Sequence, residues 1–98
     1  MNQYKKEDYP HPGKVLLENL DDIGLSQKAF AHYLGVDADV ISDICRGVSD
    51  MTAPMALKIA RALGTSPRQW LELQMNYSLV NTPKEEYEHI RQLGSDPD

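Results

Sequence analysis

Apolar positions recur along the chain with helical spacing and are separated by residues that begin or end helices. Leu16, Leu20 and Ile23 follow Pro12 at intervals of four and three residues, and Gly24 ends this first segment. Apolar residues three and four positions apart lie on one face of an α-helix. Proline in the first turn and glycine after the last turn are typical helix boundaries. The pattern therefore predicts a first helix that buries this face.

Further segments repeat this organisation, whereas strand signals are nearly absent. No stretch alternates clearly between apolar and polar residues, and no Asn-Gly or Asp-Gly hairpin turn occurs. We expect an all-α protein with a flexible lead at residues 1–9, a compact five-helix domain at 10–80, and an acidic helix and tail at 81–98. The expected capping residues of the later helices are Ser26, Asp37, Thr52 and Ser66, with an additional C-terminal helix opened by Thr82 and Pro83 and carrying Tyr87 and Ile90.

The charge balance narrows the possible partners. The chain of 98 residues has ten Lys and Arg against fifteen Asp and Glu, a formal net charge of −5. That sign disfavours indiscriminate nucleic-acid binding. Residues 26–61 are neutral, however, and the excess acid lies at the two ends. The single cysteine, Cys45, forms no intramolecular disulfide, and no apolar run reaches bilayer length. We therefore expect a cytoplasmic protein without a membrane partner.

Residues 25–47 contain the most informative pattern, two short helices joined by a tight glycine turn. This arrangement is typical of a helix-turn-helix. Ala31 is small where the two helices approach, Gly35 permits the reversal, and Val36 and Ile41 fill the angle between them. The outer face of the second helix is then free to enter a DNA major groove.

Three motifs carry a resemblance to a known family. Residues 26–36 match S-Q-x-x-x-A-x-x-L-G-V, residues 11–20 (HPGKVLLENL) contain P-G-x-x-L-x-E-x-L, and residues 66–79 match S-P-x-x-W-L-x-L-Q-x-x-Y-x-L. The first resembles the lambda-repressor-like (Cro/XRE) domain, and the other two resemble HigA-type antitoxins. The resemblance implies a five-helix DNA-binding core, a homodimer, repression of its own operon from a palindromic operator, and in many members a partner toxin of the RelE-like ribonuclease type.

The resemblance also implies which residues contact double-stranded DNA. Gln27 matches a position that contacts phosphate, and the third helix supplies base-facing positions. Asp39 and Asp43 are unusual there, because a carboxylate can accept a hydrogen bond from cytosine N4 but repels flanking phosphates. We expect Arg46 to be a phosphate anchor. The complete expected set is Gln27, Lys28, Ala38, Asp39, Val40, Ser42, Asp43 and Arg46.

Alternatives stay open at this point. Gln27 and Ser42 can equally be exposed helix polars, and Asp39 and Asp43 a solvated face. The large apolar residues of the fifth helix are core or dimer-interface residues, and the expected interface set is Trp70, Leu73 and Tyr77.

We expect no catalytic, metal or cofactor site. The three histidines, His11, His32 and His89, lie on separate segments without further metal ligands at suitable spacing. The alternative to a DNA-binding repressor is therefore not an enzyme but a protein-interaction module, one that neutralises a toxin or dimerises with weak or no DNA binding.

Overall fold

The computed structural model describes residues 6–94; residues 1–5 and 95–98 are outside the described part. Within it there are five α-helices and no strand: α1 (Pro12–Ile23), α2 (Gln27–Leu34), α3 (Ala38–Cys45), α4 (Ala53–Leu63) and α5 (Pro67–Asn81). Single turns of 3-10 helix occur at Lys6–Asp8 and Lys84–Glu86. The predicted all-α class and the five helices of the domain are confirmed.

Side chains that cap the first turn explain where four of the helices begin. The hydroxyl oxygens of Ser26, Thr52 and Ser66 each accept a hydrogen bond from a backbone N–H three residues later, and His11 Nδ1 accepts one from the Gly13 N–H at 2.8 Å. Such bonds satisfy N–H groups that have no partner inside the helix. At α3 the N-cap residue is Asp37, as expected, although its side chain makes no capping hydrogen bond. Its carboxylate still lies at the positive end of the helix dipole.

The core forms where the five helices meet. α2 packs on α3, α4 packs on α5, and α1 contacts both α3 and α5. The side chains buried there come from every helix and from the segment before α4: Leu16, Leu20, Phe30, Ala31, Ile41, Ile44, Met51, Met55, Ala56, Ile59, Ala60 and Trp70. One expected member is missing, since Ile23 in the last turn of α1 is 58% exposed.

Gly13 marks the closest approach between α1 and α3. A Cβ atom at this position would overlap the backbone carbonyl of Ile44. Backbones can come this close only where a side chain is absent. The start of α1 is therefore seated directly on the last turn of α3.

The two ends of the chain differ from the sequence expectation. In the segment predicted as a flexible lead, Lys6–Asp8 forms a 3-10 turn that packs against α5. The predicted sixth helix is wrong, because after Lys84–Glu86 the chain continues in turns and irregular structure. Its apolar residues, Tyr87 and Ile90, are 51% and 67% exposed. With no core surface beneath them, burial cannot stabilise a short helix here.

Candidate nucleic-acid interface

The α2–turn–α3 unit has the geometry expected of a helix-turn-helix. Gly35 has a positive φ of 77°, and the Val36 N–H donates to the Ala31 carbonyl across the turn at 3.0 Å. Ala31 and Ile41 are buried between the helices, with 1% and 0% of their surfaces exposed. Because these residues fill the angle, α3 has one face fixed in the core and the opposite face in solvent.

The solvent face of α3 carries most of the residues predicted to meet DNA. Ala38, Asp39 and Val40 are exposed, and Ser42 and Asp43 are half-buried one turn later. The two residues expected from α2 lie in its first turn, where Gln27 is half-buried and Lys28 is exposed. The eight predicted residues are thus available on α2, α3 and the residue that follows α3.

Arg46 and Asp43 form an ion pair on this face. The Arg46 Nη2 atom lies 3.1 Å from Asp43 Oδ1, about one helical turn along the chain, with 64% and 40% of the side chains exposed. An exposed pair of this kind contributes about 0–1 kcal/mol to stability. The pair has a clearer effect on the charge of this face. Arg46, the cation expected to contact phosphate, partly neutralises the Asp43 carboxylate.

Three cationic residues lie around one cleft beside the end of α3. Lys6, Lys14 and Arg46 line one cleft, here called the basic cleft, with Glu7 as its acidic member and Gly47 in its wall. Lys6 and Lys14 were not among the predicted site residues. Sequence spacing offers no reason to join them to Arg46, because both lie far from it along the chain. Gly13 brings Lys14 to this cleft by seating the start of α1 against the end of α3, and the packing of Lys6–Asp8 on α5 brings Lys6 there.

The other edge of α3 is acidic. Asp37, Asp39, Asp43 and Asp50 line a groove together with apolar groups that include Val40 and Met55. We call this the acidic groove. The interface therefore has a basic side and an acidic side, which meet at the Asp43–Arg46 pair. A DNA backbone is expected to follow the basic cleft and avoid the acidic groove.

Gln74 of α5 holds the loop between α3 and α4, residues 46–52, from behind. Its side-chain oxygen accepts a hydrogen bond from the Met51 N–H at 2.6 Å. Its amide nitrogen donates to Asp50 Oδ1 at 3.3 Å and to Ser78 Oγ at 3.0 Å. Gln74 was not among the predicted site residues. The signal that could have found it is a polar residue four positions after Trp70, and so on the inward stripe of the helix.

His11 contacts the same loop from the side of α1. Its ring is 8% exposed and lies edge-on to Tyr77, with ring centroids 4.9 Å apart. Burial lowers the pKa of His11, and the Asp50 charge and the Ser49 backbone oppose this shift. Since Nδ1 accepts from the Gly13 N–H, the proton of the neutral ring lies on Nε2. Among the described residues, Nε2 has no partner at full hydrogen-bond geometry.

The three residues predicted for a dimer interface have contacts within their own chain. Trp70 is 3% exposed, and its indole N–H donates to Thr65 Oγ1 at 2.7 Å. Leu73 packs against the core, and Tyr77 contacts His11. The apolar side chains of α5 that are left in solvent are Met75 and Leu79, 53% and 67% exposed. Trp70 is therefore a core residue of this chain.

Comparisons with known proteins agree with this geometry. A helix-turn-helix family profile matches residues 17–70. Antitoxin HigA-1 of Vibrio cholerae is 38% identical over 71 residues, which are 71% of this chain and 67% of that protein. The solved structure of Pseudomonas aeruginosa antitoxin HigA with the higBA promoter superposes with a TM-score of 0.78 at 33% identity, covering 87% of this chain and 98% of that one. The chain belongs to the HigA-type antitoxin family of helix-turn-helix proteins.

Other members of this family are described as regulators or antitoxins. YddM of Escherichia coli, named as an uncharacterised helix-turn-helix transcriptional regulator, is 32% identical over 80 residues, 82% of this chain and 85% of that protein. The name of this relative and the solved HigA structure with its promoter favour the DNA-binding hypothesis over the protein-interaction module.

In residues 6–94, no three His, Cys, Asp or Glu side chains are grouped so as to hold a metal ion. No helix in the same range is both long and apolar enough to cross a membrane. Burial raises the pKa of the Cys45 thiol, which favours its unreactive protonated form.

Proposed function

We propose that this HigA-family chain is a cytoplasmic repressor that binds a palindromic operator as a homodimer and regulates its own operon. The observation that carries the proposal is the α2–turn–α3 unit, whose outward face ends at the basic cleft. A solved HigA with its promoter DNA supports the same use of the fold.

The division of charge supports specific roles for the contact residues. Arg46, Lys14 and Lys6 neutralise phosphates from the basic cleft, and Lys28 does so from α2. Gln27 and Ser42 donate hydrogen bonds to phosphate oxygens. Ala38 and Val40 pack on thymine methyl groups. Asp39 has no ion-pair partner among the described residues, whereas Asp43 is paired with Arg46. Asp39 is therefore the better candidate for accepting a hydrogen bond from cytosine N4.

An electrophoretic shift on the upstream region of the gene, repeated at several salt concentrations, tests DNA binding. We expect a shift at low salt that weakens steeply as salt rises. Lys14→Ala should reduce affinity for all sequences and make the slope shallower by about 0.9, as for one lost phosphate contact. Lys58→Ala is the control, because Lys58 lies in a groove between α2 and α4 outside the basic cleft. No shift at low salt would contradict the proposal.

The homodimer is proposed to form through α5. Met75 and Leu79 are four residues apart, on one face, and are the exposed apolar side chains of this helix. Leu79→Glu should convert the dimer to a monomer in sedimentation at micromolar concentration. Leu93→Glu is the matched control, because Leu93 is also exposed, at 96%, but lies beyond α5. Equal dissociation by both variants, or a monomeric wild type, would refute this interface.

A toxin partner is proposed from the antitoxin relatives alone. We expect the neighbouring gene to encode a small ribonuclease of the RelE-like type. Co-expression of that gene with and without this chain tests the pairing, and growth should be arrested only without it. A toxin that this chain fails to neutralise would leave a solitary repressor as the function.

A further inference from the structure

Gln74 is a buried polar residue that the contact roles above do not use. Its side chain is 9% exposed and lies between α5 and the α3–α4 loop. Both polar atoms of the side chain form hydrogen bonds. Two partners, Met51 and Asp50, lie 23 and 24 residues away along the chain, and the third, Ser78, lies four residues away. Buried polar groups are retained where every hydrogen bond is made, and they then specify one arrangement of the elements they join.

The loop held by Gln74 begins at the residue that closes the DNA-facing helix. Arg46 is the first residue after α3, and Met51 is the fifth after Arg46. The next residue on α5 is Met75, which faces solvent on the surface proposed for the dimer. The Gln74 amide therefore joins α5, beside the proposed two-fold interface, to the loop that follows the recognition helix.

We infer that Gln74 is a positioning residue that fixes the orientation of α3 relative to α5, and hence the separation of half-sites that a dimer can bind. The inference rests on the proposed DNA-binding homodimer. Two recognition helices must be about one DNA turn apart, roughly 34–36 Å, to enter successive major grooves. A small rotation of α3 against α5 is doubled by the two-fold axis, so a rigid link at Gln74 makes binding selective for half-site spacing.

Amide hydrogen exchange tests the link without DNA. In wild type the Met51 N–H is bonded to Gln74 and should exchange slowly. Gln74→Leu removes both the acceptor and the donors, so the Met51 N–H should exchange at least about tenfold faster while core amides of α4 are unchanged. Gln69→Leu is the control, because Gln69 is an exposed residue of the same helix. Unchanged protection of Met51 in Gln74→Leu would overturn the inference.

Half-site spacing provides the functional readout. Affinity is compared on two duplexes, the natural operator and one with a single base pair inserted between the half-sites. Wild type and Gln69→Leu should prefer the natural spacing by about tenfold or more, and Gln74→Leu should lose most of that preference. A purely structural role would weaken binding to both duplexes equally and would overturn the inference.

A pair of substitutions that exchanges the amide at position 74 with the carboxylate at position 50 controls for a variant that simply folds poorly. Gln74→Glu places a carboxylate beside Asp50, and should expose the loop and reduce spacing selectivity. Adding Asp50→Asn restores a donor opposite the introduced carboxylate, so the double variant should recover both the slow exchange of Met51 and the spacing preference. Asp50→Asn alone should behave like wild type, since asparagine keeps the acceptor oxygen. Failure of the double variant to recover would overturn the inference.

The two measurements separate this inference from the proposed function. If wild type binds neither duplex, the proposed function fails and the spacing role fails with it, whatever Met51 exchange shows. If wild type binds and discriminates but Gln74→Leu discriminates equally well, the repressor proposal stands and the role of Gln74 is overturned.

Discussion

Two segments of this chain carry the same start signal and have different structures. Ser66 and Pro67 begin α5, whereas Thr82 and Pro83 are followed by only one 3-10 turn. The Ser66 hydroxyl accepts a bond from the Gln69 N–H at 3.3 Å. The Thr82 hydroxyl instead donates to the Ser78 carbonyl at 2.7 Å, and so closes the helix behind it.

A capping residue and an apolar stripe are therefore not sufficient for a helix. α5 has Trp70 3% exposed on the core, whereas Ile90 in the C-terminal segment is 67% exposed. Most helix stability in proteins comes from packing of the apolar face, and an isolated short helix is marginal in water. Segments with similar patterns therefore form a helix only where the fold has an apolar surface on which they can pack.

Truncating one apolar side chain in the core and one in the C-terminal segment should give the largest difference in the free energy of unfolding. Leu20→Ala removes a fully buried side chain and should lower the free energy of unfolding by about 2–5 kcal/mol. Ile90→Ala should change it by less than about 0.5 kcal/mol. Urea denaturation followed by circular dichroism measures both. A large effect of Ile90→Ala would mean that the C-terminal segment packs on the domain after all.

Gly13→Ala should give the next largest effect. The added methyl group overlaps the Ile44 carbonyl, so α1 and α3 must separate, and overpacking of this kind typically costs about 1–3 kcal/mol. Lys14→Ala, the adjacent exposed position, should leave stability within about 0.5 kcal/mol of wild type. Equal midpoints for Gly13→Ala and wild type in the same denaturation assay would disprove the close approach.

The helix caps predict a smaller difference. Ser26→Ala removes a hydrogen bond to the Ala29 N–H and should lower the free energy of unfolding by about 1 kcal/mol. Asp37→Ala removes no such bond, and should cost only about 0.3–1 kcal/mol from the helix dipole. Thermal denaturation of the two variants should rank them in this order. The reverse order would indicate that Asp37 caps α3 in solution.

The smallest effect is expected from pH. The pKa of His11 lies below its ordinary value of 6.5 because the ring is buried, and Asp50 offsets part of the shift. The unfolded chain then binds the proton first as pH falls, so the stability from His11 is complete above 6.5 and declines below it. His11→Asn keeps a capping acceptor but does not titrate. Unfolding midpoints at several pH values should decline less for this variant, and parallel curves would contradict the assignment.

Much of the fold could be predicted from the sequence because helix boundaries here are local. Ser26, Thr52 and Ser66 cap as expected, and the glycine at position 35 ends α2 as expected. The errors have non-local causes. The exposure of Ile23 and the irregular C-terminal segment depend on where the core ends, which periodicity does not show.

The candidate site was predictable in part for the same reason. Residues of α3 share a face through helical spacing, and the family resemblance indicated that this face is the one expected to meet DNA. The basic cleft did not, because Lys14 reaches Arg46 only through the packing at Gly13. Gln74 bonds to a loop 23 residues away, and no local signal indicates such a partner.

The Asp43–Arg46 pair should affect how the protein searches DNA. A phosphate that approaches Arg46 meets a guanidinium already paired with a carboxylate at 3.1 Å, so we expect Asp43 to compete with the phosphate for the cation. A DNA duplex of unrelated sequence offers Arg46 only the negative charge of its phosphates, and the Asp43 carboxylate already supplies a similar charge. An operator adds base and methyl contacts that the carboxylate cannot supply. We therefore expect the pair to lower residence on unrelated sequence more than on the operator, and to improve discrimination without adding a contact to any base.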